Sequence, residues 1–224
     1  MPTDYNDSTY TLPKNLAELE AQLQALSHDD HAVKIIQNFA KNLGKTNQRQ
    51  RLFNEKGAIV REPIIYQDML HRGLIAPDED PFILLQGDIV STETAYFLGE
   101  RMTQMKFAVA TSTCDLIPGR RQYATLLRVQ PIRKDDPNVK QLLGELLKFS
   151  STQRMYLPPL PNDPSDIIGN TLVFDGIVQV RLDDLLVATR LASLSLVGWR
   201  IFGSIVRTIM ARAGDTEVRM RSSL

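Results

Sequence analysis

The sequence predicts an α+β fold: a small, strongly bent β-barrel with an inserted helix and a C-terminal helix, preceded by an α-helical N-terminal region. Three observations lead there. Apolar runs of strand length, divided by turn residues, crowd between Phe82 and Val180. Helical spacing of apolar residues dominates before that stretch and closes the chain after it. The regular strand–helix alternation that a doubly wound sheet needs is missing. The 224 residues divide on this reading into a tail and helical region, 1–80, and a barrel domain with its closing helix, 81–224. The turn-rich run from Pro77 to Pro81 (PDEDP) marks the boundary.

Residues 1–12 read as a flexible tail. Leu16, Leu19, Leu23 and Leu26 recur at helical spacing, and Asn15 with Glu18 forms a candidate capping box. A second helix is expected from about Asp30 to Leu43, with Val33, Ile36 and either Phe39 or Ala40 inward and Gly44 as its stop. A short helix follows in IYQDMLHRG, ended by Gly73. Strands are expected at Phe82–Ser91, Met105–Thr111, Tyr123–Val129, Arg154–Leu157 and Asn170–Val180, the last split near Asp175–Gly176. One helix interrupts them at Pro137–Phe149, with Asp136 as its cap. The final helix is expected from about Leu194 to Ala213, with an apolar stripe at Leu194, Val197, Ile201, Ile205 and Ile209.

Composition narrows the function classes. The 26 basic and 26 acidic residues cancel, which argues against broad phosphate binding. The lone cysteine, Cys114, permits no intrachain disulfide and fits a reducing cytoplasm. The polar N-terminus MPTDYNDSTYTLPKN has no apolar signal core, so secretion is not expected. Arg200 and Arg207 break the longest apolar run, Leu191–Ala211, so no membrane span is expected. A cytoplasmic protein is the resulting expectation.

The middle strand ends in a compact polar cluster, Thr111, Ser112, Thr113, Cys114 and Asp115. Such residues at a strand end commonly cap turns through side-chain to backbone hydrogen bonds. The functional alternative sets Cys114 and Asp115 at the mouth of a pocket, with Thr113, Cys114 and Asp115 as candidate catalytic residues. A nucleophilic Cys114 needs a base or a positive dipole. The only imidazoles, His28, His31 and His71, lie outside the strand region. Arg120 and Arg121 follow the Pro118–Gly119 turn, and Arg133 and Lys134 end the next strand. These four are candidate phosphate ligands on one rim, because guanidinium matches phosphate oxygens in a bidentate fork. Asp88, after Gly87, is expected to serve backbone donors at a bulge or turn. His28 and His31 flank Asp29 and Asp30 without a third ligand site, so no metal and no cofactor is expected.

The order QGDIV, FAVATSTCD, LLRVQPI, TLVFDGIVQV and RLASLSLVGWRIFGSIVRTIM resembles the MazF/PemK-like small β-barrels. That resemblance implies an SH3-like barrel and a family mostly of RNA-cleaving toxins. Gly87–Asp88, the Ser112–Asp115 turn, Pro131–Ile132 and Asp175–Ile177 stand where that family carries its motifs. The chain is also similar to uncharacterised bacterial proteins with a GDI…CDL pattern, a YLPP segment (Tyr156–Pro159) and an RLASLS start to the last helix (Arg190–Ser195). The toxin family's catalytic arginine would fall at Gln104–Met105–Lys106, and its catalytic Thr or Ser at Arg133. Both positions differ, so fold is expected to carry over without the activity.

The expected function is therefore a protein-interaction module in a bacterial toxin–antitoxin or phage-defence-type system. Its partner is another protein or a second copy, held through the N-terminal helices or the C-terminal helix. The alternative is a divergent ribonuclease. There Arg120, Arg121, Arg133 and Lys134 hold RNA phosphates while Asp115 or Thr113 assists proton transfer.

Overall fold

A computed structural model describes residues 12–26, 30–93, 95–97, 100–101 and 105–210. Residues 1–11 of the expected 1–12 tail, His28, Asp29, Gln104 and the chain beyond Met210 lie outside the described residues. The architecture is mixed α+β, with seven α-helices and a barrel-like antiparallel sheet of seven strands among those residues.

Four helices come first: α1 (Leu16–Gln24), α2 (Asp30–Asn42), α3 (Thr46–Phe53) and α4 (Tyr66–His71). Asn15 caps α1 as its sequence predicts. Its Oδ1 accepts from the Glu18 amide at 2.9 Å, and its Nδ2 donates to Glu18 Oε1 at 3.2 Å. A two-residue strand, β1 (Val60–Arg61), lies between α3 and α4 and joins the sheet.

The other elements are β2 (Ile89–Ser91), the small hairpin β3 (Tyr96–Phe97) and β4 (Glu100–Arg101), β5 (Lys106–Val109), β6 (Tyr123–Arg133), α5 (Val139–Leu146), β7 (Arg154–Leu157), β8 (Ile167–Arg181), α6 (Leu182–Leu186), β9 (Thr189–Leu194) and α7 (Leu196–Met210). The sheet runs β1-β9-β2-β5-β6-β8-β7, every neighbour antiparallel. The two long strands, β6 and β8, form its spine. Their register jumps where Leu127 faces Ile177 but Arg128 faces Val173. Phe174, Asp175 and Gly176 therefore bulge out, at the split the sequence predicts, and bend the strand.

Three expectations change. The run Phe82–Asp88 is irregular, and only Ile89–Ser91 is strand. Gly87 takes φ +89°, and a Cβ there would lie 2.7 Å from Leu194 Cδ1. The segment expected to open the last helix is strand β9. Ser195 separates the two by accepting from the Gly198 amide at 3.2 Å. Asp136 does not cap α5; its carboxylate accepts from the Arg133 amide at 3.0 Å and closes the end of β6.

Both faces of the sheet are buried, and the strand period sorts its residues. Ile89, Ala108, Ala110, Leu127 and Val129 join Leu19, Phe39, Phe53, Ile201 and Phe202 in a core shared with the helices. Val90, Phe107, Val109, Leu126 and Val178 join Leu84, Leu116, Leu182 and Leu185 in a smaller core. The N-terminal helices are thus tied to the sheet. Tyr156 on β7 donates its buried hydroxyl to Asn54 Oδ1 just after α3. Arg200 on α7 donates to the Leu23 and Leu26 carbonyls at and just past the end of α1.

Candidate functional site

The polar cluster occupies the connection between β5 and β6. Val109 faces Leu126 at the last ladder pair, and the Ala110 amide reaches the Thr125 carbonyl at 2.8 Å. Beyond that point backbone donors run out of strand partners, and side chains take over. Thr111 Oγ1 accepts from the Thr125 amide at 2.7 Å. Thr113 Oγ1 accepts from the Gln86 amide at 3.0 Å, and Gln86 Nε2 donates to the Ala110 carbonyl at 2.8 Å. Thr113–Leu116 closes as a short 3-10 turn, anchored by buried Leu116. The two threonine hydroxyls thus hold the loop, as the turn-capping reading expects.

Cys114 is exposed, with its Sγ 3.0 Å from Ser112 Oγ. Asp115 sits 3.1 Å from Arg121 Nε. Arg120 donates to the Cys114 carbonyl at 3.0 Å and pairs with Asp80 at 2.8 Å.

An open groove of about 720 Å³ lies beside this loop; Gln86, Thr111, Asp115, Thr125, Gln179 and Val206 are among its lining residues. It continues over Arg120, Arg121, Gln122 and Tyr123 into a second hollow of similar size, which Arg181 and Asp183 complete. Among the described residues no histidine lines either hollow. His71 lines a separate depression beside α4, and His31 lies in α2. The sequence reading missed Gln86, Tyr123, Arg181 and Asp183. Tyr123 is 55% exposed and opens β6 one step out of phase with buried Ala124 and Leu126. An aromatic out of phase with the buried alternation was the available signal.

The expected single rim of cations divides. Arg133 and Lys134 stand at the far end of β6, eleven residues long, on the order of 30 Å along the strand from Arg120 and Arg121. Hairpin pairing cannot bring the two pairs together, because the eleven residues of β6 stand between them. Arg133 pairs with Asp166 there. Lys106, in the stretch where the toxin resemblance seeks a catalytic arginine, pairs with the nearly buried Asp163 and donates to the Pro161 carbonyl at 3.1 Å.

The QGDI and RLASLS motifs meet elsewhere. Asp88 is fully buried; it accepts from the Leu85 amide at 2.9 Å and from Ser193 Oγ at 2.5 Å. Arg190 Nε lies 3.0 Å from its Oδ2, an ionic contact whose N–H does not aim at the oxygen. The same guanidinium donates to the Ile64 and Ile83 carbonyls. Burial pushes the Asp88 carboxyl above its ordinary value, against the pull of Arg190, Ser193 and Leu85. This is a structural latch between β2 and β9, in keeping with the expected role of Asp88.

Among the described residues no group of three or more His, Cys, Asp or Glu is placed to hold a metal, and no helix is long and apolar enough to cross a membrane. No family model, curated protein or solved structure matches the chain.

Proposed function

We propose that the chain is a protein-interaction module that presents the groove beside the β5–β6 loop to a protein partner. One observation carries this reading: the groups a catalyst would use there are already engaged within the chain. Thr111 and Thr113 hold backbone amides, Asp115 holds Arg121, and Arg120 holds Asp80. What remains is a mixed-charge rim around an exposed tyrosine. Tyrosine and arginine are enriched where proteins bind one another. Within this proposal the sheet is an SH3-like, MazF/PemK-like barrel serving a cytoplasmic toxin–antitoxin or phage-defence-type system. The order of the motifs supports that frame. The ion pairs of Lys106 and Arg133 support a module that has left catalysis.

The test is affinity capture by the tagged full chain from its native cell extract after nuclease treatment, as wild type and as Tyr123→Glu. A stoichiometric protein retained by the first and lost by the second supports the reading. RNA recovered without any protein contradicts it.

One observation favours the ribonuclease alternative: Arg120, Arg121 and Arg181 line a single hollow. Their partners Asp80 and Asp183 are exposed and Asp115 is half-buried, and such surface pairs are worth only about 0–1 kcal/mol. A phosphate can therefore displace them.

A further inference from the structure

We propose that residues 61–83 form a strap, hinged at Arg190 and latched by Asp80 on Arg120, so that the strap and a ligand in the groove compete for one guanidinium. The proposal rests on the reading of the groove as a binding site and adds how that site is regulated. Three observations carry it.

The first is how little holds the segment to the body. Ile59 and Leu84 are buried core residues, yet no residue from Arg61 to Ile83 is buried. Helix α4 lies inside this stretch without a buried residue of its own. A long connection with so few apolar contacts belongs to the least stable part of a fold. It keeps its shape through contacts with itself. The Tyr66 and Phe82 rings meet edge to face at 5.4 Å, the Tyr66 hydroxyl donates to the Glu79 carbonyl at 3.2 Å, and Glu79 Oε1 accepts from the Ala76 amide at 3.1 Å. The segment is thus built to move as one piece.

The second is the hinge. The Arg190 guanidinium donates to the Ile64 and Ile83 carbonyls, both at 2.6 Å, beside fully buried Asp88. Ser193 Oγ accepts from the Ile64 amide at 3.0 Å. Both feet of the strap are therefore pinned at one nearly buried cation.

The third is the latch. Among the described residues, the pair of Asp80 with Arg120 at 2.8 Å is the one hydrogen-bonded or ionic contact between residues 65–82 and the rest of the chain. The two side chains are 62% and 48% exposed. Such a pair shifts an equilibrium by about fivefold at most, and salt weakens it. Arg120 lines both hollows of the groove, whereas no residue of the strap lines either. Latched, its guanidinium is divided between Asp80 and the Cys114 carbonyl. Released, it is free for a ligand. By linkage, a ligand that takes Arg120 favours the open strap by the factor through which the latch weakens its binding.

The experiment measures the distance between two spin labels on the full chain by pulsed electron resonance. One label sits on Cys114, whose thiol lies against Ser112 while Arg120 holds only its carbonyl. The other sits on the strap at Leu74→Cys, an exposed position. A short, latched distance and a longer, released one are expected. Asp80→Asn and Arg120→Gln should each raise the ratio of long to short about two- to fivefold. About 1 M salt should do the same in the latched chain and add nothing in either variant. Inorganic phosphate, compared with chloride at equal ionic strength, should raise the ratio in the latched chain and leave Arg120→Gln unmoved. A distance distribution that Asp80→Asn does not move overturns the proposal. So does a salt response as large in the variants, or a latched chain indifferent to phosphate. A strap that answers to Asp80 and to phosphate in a chain that captures no protein refutes the interaction module and leaves the latch standing.

Discussion

Arg190 on β9 and Asp88 at the entry to β2 lie 3.0 Å apart, one 14% exposed along its side chain and the other fully buried. Two short motifs about a hundred residues apart in the chain are thereby one structural feature. Gly87 makes room for Leu194, Ser193 donates to Asp88, and Arg190 ties down the chain at Ile64 and Ile83. The QGDI and RLASLS motifs together are the fastening between β2 and β9.

Removing the cation should expose that fastening. Arg190→Met leaves the Asp88 carboxylate buried without its counter-charge and frees two carbonyls. We expect a loss of about 3 kcal/mol at neutral pH by urea unfolding, the scale for breaking a buried pair on one side. A loss below about 0.5 kcal/mol, the scale of an ordinary surface change, would show that the contact is not formed.

The same carboxyl sets a pH dependence. Its folded pKa is raised above the ordinary 3.8 by burial. The folded chain then binds the proton more tightly than the unfolded chain. Its contribution is complete below the ordinary value and is lost as pH rises through the raised one. Arg190→Met removes the charge that holds the pKa down, so its deficit should shrink as pH falls. A deficit constant across the acid range would contradict the assignment.

Tyr156 and Asn54 couple the N-terminal helices to the sheet. Tyr156→Phe removes that bond and should cost about 1 kcal/mol. Amide exchange should speed up in α3 more than in β6. Uniform acceleration throughout would mean that the tether is not local.

Gly198 lets α7 meet the β1 approach. A Cβ there would sit 2.3 Å from the Ile59 carbonyl oxygen, a backbone atom that cannot step aside alone. Gly198→Ala should cost about 2 kcal/mol through overpacking. Unchanged melting of this variant would place α7 differently.

Cys114 offers a direct check on the enzyme reading. It is exposed, no imidazole among the described residues lines the groove beside its loop, and Arg120 is spent on its carbonyl and on Asp80. Alkylation near neutral pH should run no faster than with a free thiol. A reaction many-fold faster would restore Cys114 as a nucleophile.

The parts legible in sequence are those set by local chemistry. Asn15 and Glu18 announce a cap, alternation from Phe107 to Ala110 separates the two cores, and Asp175–Gly176 announces the bulge in β8. Strand β9 was not legible, because Arg190–Leu194 runs straight into an apolar helix and shares its composition. Ser195, a capping residue before that run, was the one available mark. The cluster at Thr111–Asp115 was found, but its hydroxyls proved to serve the backbone. The hollow that continues its groove needs Tyr123, Arg181 and Asp183, which only long-range pairing of β6 with β8 brings together. Arg133 and Lys134 looked close to Arg120 in a hairpin reading, yet the length of β6 carries them away.

On the proposed reading this groove binds protein and does no chemistry on RNA. The most direct measurement is incubation of the full chain with labelled single-stranded RNA at low salt, following both anisotropy and chain length. The account predicts intact RNA, and weak binding that Arg120→Ala with Arg121→Ala leaves unchanged. RNA cleavage abolished by that pair, with affinity falling steeply as salt rises, would contradict it.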